Sequence, residues 1–134
     1  MVEIGKRQTL KVIRSKDFGV YLAECEEDKD AVLLPRKQVP EGLKAGGEIE
    51  VFVYLDSSDR PIATVNQPLI TLGELARLKV ASVGNIGAFM NWGLEKDILM
   101  PFKEMVGKVR EGKEYLVYMY MDKSNRPCVS MRLY

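Results

Sequence analysis

The chain has 134 residues, 46% of them apolar and 29% charged, with a formal net charge of +1. That is the composition of an ordinary globular protein, not of a disordered or membrane-embedded one, and the length allows one domain or two very small ones, because lone cores become marginal at roughly 60 residues. Histidine is absent, which removes the commonest general base, the commonest metal ligand and every imidazole triad.

No HExxH, GxSxG, Walker or GxGxxG pattern occurs, so the expectation is a protein that is not an enzyme and that holds neither cofactor nor metal. No stretch approaches the ~20 apolar residues of a membrane span, and the start, MVEIGKRQTLKVIRS, lacks the apolar core of a signal peptide. A cytoplasmic protein with no membrane partner is expected. Cys25 and Cys128 are far apart with no CxxC spacing and read as free thiols.

In chain order the elements are short strands: TLKVIRS, GVYLAE, AVLLP, EIEVFVYLD and PIATV, separated by Gly, Pro, Asp and Ser. Between the third and fourth, RKQVPEGLKAGG leaves room for a turn of helix and a loop. After the fourth strand Asp56 begins a turn, and Arg60 precedes the proline that opens the fifth. Asp56 and Arg60, four apart across this hairpin, are placed to pair.

The same text then repeats. YLDSSDRP at Tyr54 returns as YMDKSNRP at Tyr120, an offset of 66 that also aligns Val51 with Val117, Phe52 with Tyr118, Gly46 with Gly112 and Pro35 with Pro101. Upstream the offset becomes 68, aligning Phe18-Gly19-Val20-Tyr21-Leu22 with Ile86-Gly87-Ala88-Phe89-Met90, and Gly5 with Gly73. The slip reflects a loop two residues longer in the first copy. The chain therefore divides into two tandem domains, 1-67 and 68-134, joined through NQPLIT.

Strand four shows why a closed barrel is expected. Ile49, Val51, Val53 and Leu55 share one face by the period of two, with Phe52 and Tyr54 on the other. The second copy places Tyr115, Val117, Met119 and Met121 inward and Leu116, Tyr118 and Tyr120 outward, where packing between copies would use them. The predicted fold is all-β: two tandem five-stranded OB-fold barrels, each with a short helix after strand three.

The run F-G-V-Y-L, then L-L-P, then G-x-E-I-E-V, then D-x-x-x-R resembles the S1-like RNA-binding domain, an OB-type repeat of the largest protein of the small ribosomal subunit. LLPRKQVPEGL, VFVYLDSSDRPIAT and GAFMNWGLEKDILMPFKE together resemble the conserved virulence factor B family of bacterial RNA-binding regulators, over nearly the full chain. The resemblance implies binding of single-stranded RNA, with DNA as a further ligand, and a role in regulating gene expression after transcription. Members of that family continue into further barrel-like sequence and a winged helix, so a contact with such a C-terminal region is a second expected partner.

In S1-like domains the RNA crosses strands two and three, on rings that flank the first glycine of strand two and on a histidine in strand three. The resemblance carries these positions to Phe18, Tyr21 and Leu34 in the first copy and to Ile86, Phe89 and Met100 in the second. An outward ring on a barrel strand is a platform on which any base can stack. Lys16, Arg36 and Lys37 flank the first face and Lys103 the second, as cations for the phosphate backbone. The expected RNA-binding set is Phe18, Tyr21, Lys16, Arg36, Lys37, Phe89, Met100 and Lys103. Trp92 is read as a lid packed over its barrel or against the neighbouring copy. The other reading is a protein-interaction scaffold in which the exposed rings grip another protein or a C-terminal region of a longer chain; steep weakening of binding with salt separates the two.

Overall fold

The computed structural model describes residues 2–27 and 30–133. It divides into two compact units, Met1–Asn66 and Gln67–Tyr134, each a closed five-stranded barrel. The first holds β1 (Arg7–Lys16), β2 (Gly19–Ala23), β3 (Val32–Pro35), β4 (Glu48–Leu55) and β5 (Pro61–Thr64). The second holds β6 (Leu75–Val83), β7 (Gly87–Asn91), β8 (Ile98–Pro101), β9 (Glu114–Met121) and β10 (Pro127–Ser130). Around the first ring the order is β1-β2-β3-β5-β4, with β4 closing antiparallel onto β1. In each barrel strands three and five pair in parallel, Leu33 with Ile62 and Leu99 with Cys128. This is the tandem OB-like architecture that the strand pattern predicts.

Alternation supplies the core. Leu10 and Val12 from β1, Val20 and Leu22 from β2, Val32 and Leu34 from β3, Val51 and Val53 from β4 and Ala63 from β5 form one buried cluster. Each of the larger ones contributes about 1.5–3 kcal/mol by leaving water. The second barrel fills with Leu78, Val80, Ala88, Met90, Ile98, Met100, Val117, Met119 and Val129, all buried. On strand four the two copies part company: Phe52 and Tyr54 are buried on the opposite face of β4, whereas Tyr118 and Tyr120 are half-buried and Leu116 is exposed.

Strand one of each barrel carries a bulge, at Ile13 between Val12 and Arg14 and at Ala81 between Val80 and Ser82. A bulge bends a strand and re-aims the side chains that follow it. Val12 is pinned at the bend by bonds from its N–H to the Gly47 carbonyl and from the Gly46 N–H to its own carbonyl, both 2.8 Å. Val80 repeats this with Lys113 and Gly112 at 2.9 Å.

The helix expected after strand three is a single 3-10 turn in each copy, Arg36–Gln38 and Phe102–Glu104. Pro35 and Pro101 set the entry, and in the first copy Pro40 stands two residues past the turn, where it disfavours a continuing helix. Gln38 then ties its turn to strand five: its Oε1 accepts from the Thr64 hydroxyl at 2.8 Å and the Val65 N–H at 2.9 Å. Glu104 does the same by accepting from the Ser130 hydroxyl at 2.8 Å.

The repeated Y-x-D-x-S-x-R-P turn is built on its aspartate. Asp56 Oδ1 accepts from the N–H groups of Ser58 (2.8 Å) and Arg60 (2.9 Å), and Asp122 Oδ1 accepts from Ser124 (2.8 Å) and Arg126 (3.0 Å). Asp59 and Asn125 occupy the left-handed position at φ 60° and 61°, which Asp and Asn tolerate better than other side chains. The expected Asp56–Arg60 pair is present, Nε to Oδ2, at 3.2 Å.

Trp92 is buried, its indole N–H donating to the Lys96 carbonyl at 2.6 Å. Its own carbonyl accepts from the Leu69 N–H at 2.7 Å. Cys25 is exposed and Cys128 buried, both as free thiols. Among the described residues no helix is long and apolar enough to cross a membrane.

Candidate nucleic-acid interface

The surface that the S1-like resemblance picks out lies where strand one turns into strand two and strand three enters its 3-10 turn. Close packing here depends on glycine. Gly19 pairs with Pro35 and Gly87 with Pro101, and a Cβ at either would run into the carbonyl oxygen of Leu34 or Met100. The Arg36 N–H donates to the Phe18 carbonyl at 2.9 Å, and the Phe102 N–H to the Ile86 carbonyl at 3.4 Å, so the hairpin turn and the 3-10 turn are joined in the same way in both barrels.

In the first barrel this brings together Phe18, Tyr21, Arg14, Lys16, Arg36 and Lys37. Phe18 is 55% exposed, and its ring meets the half-buried Tyr21 edge-to-face, centroids 6.1 Å apart at 88°. Arg14 stands directly opposite Tyr21 across the β1–β2 ladder; its guanidinium carbon lies 5.4 Å from the centre of the tyrosine ring, within cation–π range. Arg36 Nη2 donates to the Ser15 hydroxyl at 3.0 Å, to the Gly19 carbonyl at 3.4 Å and to the Lys16 carbonyl. Arg36 is thus a brace for the turn that carries Phe18, and its charge stays at the surface. Lys16 and Lys37 are exposed alongside. Asp17 is the one acid among them in the stretch Arg14–Phe18.

The second barrel keeps the backbone and changes the chemistry. Ser82 replaces Arg14 opposite the ring of Phe89, Ile86 replaces Phe18 and is 60% exposed, and Phe102 replaces Arg36 and is 49% exposed. Phe89 is half-buried, and one edge of its ring closes on the Gly84 backbone: a Cβ there would come within 3.3 Å of it. Lys103 is exposed next to Phe102.

Two positions carried over from the resemblance do not reach this surface. Met100 and its counterpart Leu34 are fully buried, because on strands of four residues they share the inward phase with Ile98 and Val32. Met100, expected among the RNA contacts, is corrected to a core residue of the second barrel. Two residues outside the expected set also lie on this surface. Arg14 was hidden by the bulge, and Phe102 lay inside a segment read only as helix and loop.

Among the described residues no group of three or more His, Cys, Asp or Glu could hold a metal ion. Burial, with the Asp122 carboxylate 3.8 Å away, pushes the Cys128 thiol up to about 12, which leaves it protonated and inert near neutral pH.

Comparison with known proteins agrees with the geometry. The family model described as S1 domain matches twice, over residues 4–66 and 72–132. The chain is 34% identical over 97 residues to YitL of Bacillus subtilis (strain 168), covering 72% of the chain and 32% of that protein. It is 32% identical over 88 residues to Conserved virulence factor B of Staphylococcus saprophyticus, covering 62% of the chain and 29% of that protein. The chain thus spans about a third of the length of these curated relatives. A crystal structure of a multidomain protein with nucleic acid binding domains from Streptococcus pneumoniae superposes over 94% of the chain and 45% of its own, with a TM-score of 0.79 at 17% identity. With a domain model matched to each barrel, the chain belongs to the S1 domain family.

Proposed function

We propose that the chain is a non-enzymatic module that binds single-stranded RNA, and that it serves cytoplasmic regulation of gene expression after transcription. The observation that carries this reading is the first barrel's cluster: an exposed Phe18 ring propped edge-on by Tyr21, with Arg14 over the tyrosine and Lys16, Arg36 and Lys37 around it. Bases stack on the rings, worth about 1–3 kcal/mol each. The cations meet the phosphates, and the Arg36 bonds to three groups of the β1–β2 turn fix the platform before RNA arrives. Little base specificity is expected, since stacking and phosphate contacts tolerate any sequence.

The test is fluorescence anisotropy of a labelled mixed-sequence single-stranded RNA at two salt concentrations, with wild type and Phe18→Ala. Wild-type binding should weaken with salt, at about −0.7 in log K per log salt for each phosphate neutralised, and the variant should lose about tenfold or more. A matched DNA oligonucleotide measures how far the 2′-hydroxyl matters. Absence of binding at low salt overturns the reading. The scaffold alternative, in which the exposed rings and the exposed Leu75 and Leu133 beside Tyr118 and Arg132 would meet a protein, predicts a complex insensitive to salt.

A further inference from the structure

The hairpin face of the second barrel has Ser82, Gly84 and Phe102 where the first has Arg14, Lys16 and Arg36, yet it is not blank. Along β6, the β6–β7 turn and β7, residues 80–94 contain no charged side chain. Val83 is 41% exposed, Ile86 60% and Phe102 49%, and the Phe102–Ile86 backbone bond places the last two side by side. Phe102 occupies the place of Arg36, whose charge in the first barrel braces the turn. The ring predicted to stack here, Phe89, is half-buried with an edge against Gly84. The flat surface on offer is therefore Phe102.

We infer that Phe102, joined through its backbone to the exposed Ile86, is a second base-stacking platform, taking an unpaired base of the RNA chain with almost no phosphate contact. The inference rests on the RNA-binding reading of the preceding section and adds to it a site with a different dependence on conditions. Three features favour a nucleobase as the occupant. The patch joins the same two turns as the ring cluster of the first barrel, each held by the same backbone bond. Lys103 stands next to it, the β6–β7 turn carries no carboxylate, and the one acid of the 3-10 turn, Glu104, is bonded to the Ser130 hydroxyl at 2.8 Å. A phenylalanine half exposed on a short turn presents a face of about the size of one base, whereas a stable protein interface needs on the order of 800 Å² per partner.

The consequence is a division of contacts. The first barrel supplies phosphate neutralisation and so most of the salt dependence; the second supplies stacking that salt barely touches. Removing Phe102 should lower affinity at every salt concentration by the same factor. Removing a cation of the first barrel should change the slope itself.

The experiment uses the full 134-residue chain and a labelled mixed-sequence single-stranded RNA of about 12 nucleotides, within the usual site size for such barrels. It is run beside an abasic oligomer of the same length and phosphate count. Wild type, Phe102→Ala, Phe102→Tyr and Phe102→Leu are titrated at three salt concentrations, with Trp92 emission confirming that the second barrel is folded in each. The expected result is a loss of about tenfold for the alanine variant with an unchanged salt slope, full retention by tyrosine, partial retention by leucine, and no difference between the proteins on the abasic oligomer.

Wild-type binding that Phe102→Ala leaves intact overturns this inference while the RNA-binding reading stands. A fall in salt slope equal to that of a lysine deletion also overturns it, since the residue would then act through charge placement. Unchanged RNA affinity together with a self-association that the alanine variant abolishes, seen by sedimentation, reassigns the patch to protein contact. No binding by wild type at low salt overturns both readings together.

Discussion

The two hairpin faces of this chain share a backbone and differ in almost every side chain that could meet a ligand. Across the ladder from the strand-two ring stands Arg14 in one barrel and Ser82 in the other; after strand three comes Arg36 in one and Phe102 in the other. The charges of the halves run the opposite way. Residues 1–67 hold 10 basic against 12 acidic side chains, a net of −2, and residues 68–134 hold 10 against 7, a net of +3. The more acidic half thus carries the more basic face, because Asp17 is the one acid among those cations and other carboxylates sit in the loop after β2 and along β4. Domain net charge is a poor guide to a binding face; which side of a strand a charge occupies decides it.

That contrast is broken most directly at strand three. Met100→Ala should destabilise the second barrel by about 2–5 kcal/mol, as emptying a core methionine does, read as an earlier denaturant midpoint by Trp92 emission. RNA affinity of the remaining folded protein should hardly change. The reverse result, lost binding at unchanged stability, would put Met100 back on the surface and undo the correspondence between the faces.

Exchanging the cross-strand partners sharpens the comparison. Arg14→Ser should weaken RNA binding by a factor matching about 0.5–2 kcal/mol and flatten the salt slope by roughly 0.7. Ser82→Arg should steepen it by a similar amount. Equal slopes in both variants would mean that neither face meets phosphate.

The smallest effect expected concerns the turn shared by both copies. Partial burial pulls the Asp56 carboxyl up, but the N–H groups of Arg60 and Ser58 and the Arg60 guanidinium outweigh it and hold the group below the usual carboxylate range. A carboxyl depressed on folding adds stability that is complete above its ordinary value of 3.8 and is lost as pH falls through the lower folded value. Asp56→Asn keeps the turn's acceptor and removes the charge. It should cost only about 0–1 kcal/mol at pH 7 and should make thermal stability less dependent on pH below about 4, measured by melts at pH 7, 4 and 3.

Much of this was legible from the residues because it is local. The repeat, the strands, the inward phase of Val51 and Val53 and the Asp-led turns all follow from alternation and turn chemistry within a few positions. What escaped depends on register. Strict alternation from Leu10 and Val12 would send Arg14 into the core; the unpaired Ile13 shifts the phase and brings Arg14 to the ring of Tyr21. Met100 was misplaced for the converse reason: a role borrowed from a histidine position overrode the phase that Ile98 and Met100 share. Phe102 was not singled out because its exposure comes from a turn three residues long, a property that periodicity does not report.

Trp92 has a practical consequence. It is the only tryptophan in the chain and is enclosed within the second repeat, while the first repeat has only tyrosine and phenylalanine. The natural sequence therefore carries an optical label in one of two near-duplicate barrels. Emission excited selectively at the indole follows unfolding of the second repeat alone, and far-ultraviolet dichroism follows both, so the order in which the twins melt is readable without a dye, a tag or a substitution.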